Sequence, residues 1–117
     1  MDLYLDSKNH PHIKFEVLLN RWILVNCLID TGFTGGLTLP EVYLKDSKQK
    51  PVSHQDFELA DGSIENFPVY TGRVRYKNKV KNISLSFSKT SEAIVGLEFL
   101  LGYKLVLDLK EFLVTLD

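Results

Sequence analysis

A chain of 117 residues, 44% hydrophobic and 25% charged, is long enough to bury a core of its own and reads as one domain, residues 1–117. Its charges nearly cancel, leaving −1 and a pI near 6.3, which excludes the basic surplus that nucleic acid or an anionic membrane surface calls for. The single cysteine, Cys27, excludes an internal disulfide, and no run reaches the roughly 18 apolar residues of a membrane span.

Met1 to Asp6 alternates apolar and polar residues, as a short edge strand does. It lacks the basic start and apolar core of a signal peptide, and with the lone thiol it implies a cytoplasmic, reducing setting. His10 and His12 form an H-x-H with no third ligand at metal-site spacing, so neither a metal nor another cofactor is expected. Alternation resumes from Ile13 to Leu19, and Asn20-Arg21 marks a turn. Trp22 to Ile29 then runs nearly continuously apolar, which predicts a strand buried on both faces. Cys27 sits inside that run as a small core residue, and no nucleophile signature links it to His10, His12 or His54.

The run ends in Asp30-Thr31-Gly32, followed by Phe33-Thr34-Gly35-Gly36 and a further strand at Leu37-Thr38-Leu39. Pro40 is placed to open a helical turn through Leu44, and Lys45 to Pro51 reads as an exposed loop. His54 to Ala60 leads into the turn signal Asp61-Gly62-Ser63, and strand residues continue from Ile64 to Tyr76. Lys77-Asn78-Lys79 turns the chain back through Val80, Ile83, Leu85 and Phe87, so the basic residues between Arg73 and Lys81 lie on a solvated strand face. Glu92 to Gly96 predicts a short apolar strand and Leu97 to Leu101 a short helix closed by Gly102. Leu105 to Leu109 and Phe112 to Leu116, flanking Lys110-Glu111, predict a closing hairpin. Many short strands with few helices predict a mainly β barrel or sandwich.

A carboxylate delivered on a strand tip is the element that asks for a chemical reason. Asp and Gly are also ordinary turn residues, so the tripeptide alone does not decide between a turn and a site. Hydrolysis of a peptide without metal or covalent intermediate needs one carboxylate to take a proton from water and another to protonate the carbonyl oxygen. Two carboxyls about 3 Å apart cannot both ionise and share one proton. The titration then belongs to the pair and not to either acid. One such acid per chain makes a two-fold axis the simplest source of the second, since each residue then meets its own copy. Gly32 lets the backbone turn tightly and leaves room for its amide to approach the carboxylate.

The order of motifs resembles the retropepsin-like aspartic proteases, the single-lobe homodimeric relatives of pepsin. Leu28-Ile29-Asp30-Thr31-Gly32 is similar to the family's two apolar residues followed by Asp-Thr/Ser-Gly. Leu59-Ala60-Asp61-Gly62-Ser63 falls where the family has its flap hairpin, and Ile94-Val95-Gly96-Leu97-Glu98-Phe99-Leu100 is similar to its apolar-apolar-Gly strand and short helix. The resemblance implies a closed β-barrel with one short helix near the C-terminus. It implies catalysis by Asp30, Thr31 and Gly32 of a homodimer, with Thr31 tying the two active-site loops across the axis. It also implies a peptide or protein substrate held by Phe33 and by the flap residues Ala60, Asp61, Gly62 and Ser63. Gly96 is expected to be architectural, letting a strand pass beneath the Asp30 loop. Phe33 stands where most family members have a small residue, so it either narrows a subsite or repacks the loop. The flap lacks the multiple glycines of viral enzymes. The competing reading is a non-catalytic dimeric domain of the same fold that binds peptides or serves assembly.

Overall fold

The computed structural model describes residues 2–117, so Met1 of the expected first strand lies outside the described residues. Strands β1 (Leu3–Leu5), β2 (Pro11–Leu18), β3 (Trp22–Ile29) and β4 (Leu37–Pro40) come first, followed by a 3-10 helix over Glu41–Asp46. Then come β5 (Ser53–Glu58), β6 (Ile64–Tyr76), β7 (Lys79–Ser88), β8 (Ala93–Val95), helix α1 (Leu97–Leu100), β9 (Leu105–Asp108) and β10 (Leu113–Leu116). The main sheet runs β1-β2-β3-β8-β4-β7-β6-β5, and an extra pairing of β2 with β6 closes its six central strands into a barrel. Closure leaves the barrel without free edges. β1 and β5 lie outside the ring, and β9 and β10 form a separate two-stranded sheet.

Strand alternation fills the barrel. Ile13, Phe15 and Val17 of β2, Val25, Cys27 and Ile29 of β3, and Leu37 and Leu39 of β4 are all buried, each two residues from the next. The expectation that β3 is buried on both faces does not hold. Its burial alternates, with Leu24 64% exposed and Asn26 outward, because the strand lies in a barrel wall and only one face meets the core. Trp22 is half-buried and carries the Arg75 guanidinium 4.2 Å from its ring, while that guanidinium bonds Glu16 twice at 3.1 Å. Arg73, Lys77 and Lys79 are solvated, as the alternation predicts, whereas Lys81 is half-buried.

The turns follow local chemistry. Lys77 and Asn78 both take positive φ, the two-residue geometry that matches strand twist in a hairpin. The helical turn expected after Pro40 is a 3-10 helix that extends to Asp46, two residues past Leu44. At the end of α1, Gly102 takes φ +89, and the Lys81 ammonium donates to the carbonyls of Phe99 (2.9 Å) and Leu101 (3.0 Å), satisfying acceptors the short helix leaves open.

Two pairings place the candidate site. β8 runs parallel to β3, with Cys27 opposite Ala93 and Ile29 opposite Val95, and antiparallel to β4. The short strand Ala93–Val95 therefore lies between the strand that ends at Asp30 and the strand that follows the glycine-rich loop. Beyond the barrel, β5 and the first half of β6 form an exposed ribbon closed by the turn at Ala60–Ser63.

Candidate active site

Asp30 follows the last residue of β3 and is half-buried. Its amide donates to the Val95 carbonyl at 3.0 Å, which ties the acid to β8, and its own carbonyl accepts from Phe33 at 3.1 Å, closing a turn. The Gly32 amide donates to Asp30 Oδ1 at 2.9 Å, as expected of a glycine at that position. A side chain at residue 32 would begin 3.2 Å from the same oxygen and crowd this contact. Thr31 lies exposed at the tip of the turn.

The loop is braced from below. Gly96 donates to the Gly36 carbonyl at 2.9 Å, Leu97 to Phe33 at 2.8 Å and Glu98 to Gly35 at 3.2 Å. The first residues of α1 thus satisfy carbonyls of the Asp30 loop, and Gly96 sits against them so closely that a Cβ there would lie 2.5 Å from the Gly35 oxygen. Glu98 closes the brace on the other side, where one carboxylate oxygen accepts the Ser84 amide at 2.7 Å and the Ser84 hydroxyl at 2.5 Å. Sequence reasoning assigned Gly96 an architectural part but gave Glu98 none, since its partner on β7 is fourteen residues away.

Phe33 lines a cavity, and its ring lies against Gly35 of the braced loop and against Gly96. Its ring meets Phe57 of β5 at 6.0 Å between centroids, and Phe57 meets Phe67 of β6 at 5.6 Å edge to face. The three rings, with Asp30, Gly32, Thr38, Glu58, Ser86 and Thr90 among the other lining residues, bound a cavity of about 260 Å³. The structure therefore brings Phe33 and the acid into one cavity. It places Ala60, Asp61, Gly62 and Ser63 on the exposed tip, beyond the ribbon residues Phe57, Glu58 and Leu59 that form the wall. That tip is internally ordered. Asp61 Oδ1 accepts the Ser63 hydroxyl at 2.6 Å and its amide at 2.9 Å, which hold the Asp61 carboxyl below its ordinary range, and Gly62 takes φ +85.

Elsewhere, His12 is buried with Nε2 2.9 Å from Asp6 Oδ2 and its ring stacked on Tyr4 at 5.0 Å. Hydrogen bonds from the His10 amide and the His12 ring hold Asp6 at a pKa of about 2. Burial pushes the Cys27 thiol well above its ordinary value, which suits a core residue and not a nucleophile. Among the described residues no group of three or more His, Cys, Asp or Glu is arranged to hold a metal ion, and no helix is long and apolar enough to cross a membrane.

No protein-family model and no curated protein matches the chain. Solved structures do. The protease of simian foamy virus superposes with a TM-score of 0.53 at 15% identity, over 74% of this chain and 90% of that one. The EIAV protease, solved with a bound inhibitor, superposes with a TM-score of 0.60 at 21% identity, over 87% of this chain and 97% of its own. The chain has the fold of the retroviral proteases: a mainly β, closed six-stranded barrel with few helices.

Proposed function

We propose that the protein is an aspartic endopeptidase active as a homodimer, in which one Asp30 from each chain activates water for peptide-bond hydrolysis. The observation that carries this reading is the Asp30 carboxylate itself, set on a braced loop at a cavity beneath a hairpin, in the fold of retroviral proteases. The Gly32 amide holds one carboxylate oxygen, which leaves the other for the shared proton and the attacking water. One carboxyl takes a proton from the water while its partner gives one to the carbonyl oxygen of the substrate. Thr31, exposed at the turn tip, is assigned the contact across the axis. The substrate lies extended under the β5–β6 ribbon, whose tip Ala60–Ser63 reaches over it.

The C-terminal hairpin supports the second copy. Leu105, Leu107, Val114 and Leu116 fall on one face of the β9–β10 pair, which makes that face wholly apolar. Leu116 is buried against the barrel, whereas Leu107 is 44% exposed and Phe112 63% exposed toward the tip. The inner end of that face is covered by the barrel, and its outer part, left exposed, gains from a partner. A second copy is the partner the incomplete site calls for. The lone buried thiol is compatible with a reducing cytoplasm, to which we assign the protein.

Asp30→Asn is expected to preserve fold and dimer and to abolish cleavage of a peptide library, with wild-type rates following a bell whose limbs belong to the pair. Equal turnover by the two proteins sinks the proposal and leaves the non-catalytic peptide-binding reading.

A further inference from the structure

The cavity beside Asp30 has two unlike walls. One is the aromatic row Phe33, Phe57 and Phe67. The other is a row of hydroxyls on β4, β7 and the segment before β8: Thr38, Ser86, Ser88 and Thr90. A hydroxyl carries one proton, and here every proton is already committed. Thr38 donates to the Ser86 carbonyl at 3.3 Å, and Ser86 donates to Thr38 Oγ1 at 3.0 Å. Thr90 donates to the Glu92 carbonyl at 3.1 Å, so in the 2.8 Å contact of Ser88 with Thr90 the proton comes from Ser88. What this wall offers a ligand is therefore lone pairs, and the group it satisfies is a donor.

Charge points the same way. Asp30 and Glu58 line this cavity. The adjoining space of about 560 Å³, reached past Leu59, Phe67, Ser88 and Thr90, is lined by Glu41 and Glu65 against the single amine of Lys89. A cavity of about 260 Å³ takes one side chain, not a drug-sized ligand. An apolar stem against aromatic faces, with a donor-rich cationic head, describes arginine before any other residue, since a guanidinium stacks on rings and bonds several acceptors at once.

We infer that this cavity is a recognition site for a basic side chain, arginine foremost, in the residue of a peptide that lies next to Asp30. The inference rests on the reading that a peptide occupies the cleft, and it names the class of peptide. The stem packs along Phe33, Phe57 and Phe67, and the guanidinium meets Glu58 and the lone pairs of Thr38 and Ser88. An acidic side chain finds no donor among the four hydroxyls and faces two carboxylates.

The test measures binding, so that it does not depend on turnover. Short fluorescent peptides identical except for Arg, Leu, Tyr or Glu at one position are titrated by anisotropy against Asp30→Asn protein. The same set is then digested by the wild type. Arg is expected to bind about tenfold more tightly than Leu or Tyr, and Glu weakest. Glu58→Gln, at an exposed position that tolerates the change, and Thr38→Val are each expected to narrow the Arg-to-Leu ratio by about threefold or more. Leu or Tyr binding as tightly as Arg, or variants that leave the ratio unchanged, overturns the inference. Cleavage that needs Asp30 but ignores Arg overturns it while sparing the endopeptidase reading. An Arg preference in binding, with no Asp30-dependent cleavage of any peptide, upholds it and removes that reading alone.

Discussion

Gly96→Ala is the sharpest single test of how the candidate active site is held. The added Cβ would lie 2.5 Å from the Gly35 carbonyl oxygen and would also meet the Phe33 carbonyl. That is about 1 Å short of the separation at which heavy atoms pack well. The obstructing atoms are backbone, so no rotamer change relieves the contact. If the loop stays in place, overpacking costs about 1–3 kcal/mol. If the loop retreats, it gives up the hydrogen bonds Leu97 N to Phe33 O at 2.8 Å and Glu98 N to Gly35 O at 3.2 Å. Each of those bonds is worth about 1 kcal/mol. Either route falls within about 1–3 kcal/mol, which for a domain of this length lowers Tm by about 4–12 °C. Retreat also displaces Asp30, and a misplacement near 1 Å costs about 100-fold in rate. Thermal unfolding at fixed protein concentration and a peptide-cleavage assay read the two effects together. A Tm within about 2 °C of wild type, with cleavage intact, refutes the claim that contact with residue 96 braces the loop.

Other outcomes follow from the same geometry. Cys27 is expected to resist alkylating reagents in the native protein at pH 8 and to react at once in denaturant, as mass spectrometry reports. Asp6 is held at about 2 against an ordinary 3.8, so its stabilising contribution is full above the ordinary value and is lost as pH falls toward 2. Asp6→Asn is therefore expected to lower the urea midpoint at pH 6 and to converge with wild type between pH 4 and 2; a constant gap across that window contradicts the assignment. Leu107→Asp, on the apolar hairpin face, is expected to weaken self-association at least tenfold in sedimentation velocity without altering the circular dichroism spectrum. Unchanged association refutes the hairpin face as the contact of the proposed dimer.

The acid, its glycine and the short strand before Gly96 were legible because each is a short local pattern with a backbone reason behind it. The barrel was legible too, since alternation at Ile13, Phe15 and Val17 needs only the period of a strand. The double burial expected of β3 failed because a continuous apolar run does not state which of its faces meets the core, and Leu24 lies outward. The cavity walls were hidden for a different reason. Thr38 meets Ser86 only through the parallel pairing of β4 with β7, across forty-eight residues, and Phe57 reaches Phe33 only when the β5–β6 ribbon folds over the rim. Such contacts arise from nonlocal register, which a single sequence does not encode at any one place. Phe57 did leave a trace, as the one apolar residue in the otherwise polar run Ser53–Glu58.

The packing of Phe33 against two glycines constrains the order in which this sequence can change. The three atoms nearest a Cβ at residue 35 would all belong to the Phe33 ring, the closest 2.6 Å away, whereas a Cβ at residue 96 would meet that ring and two backbone carbonyls as well. Gly35→Ala therefore becomes tolerable once Phe33 has been replaced by alanine, and the two substitutions are strongly non-additive. Gly96→Ala gains no such relief. Drift is open to position 35 by a single ordered path, small residue at 33 first, and is closed to position 96 by any path that keeps the loop where it is.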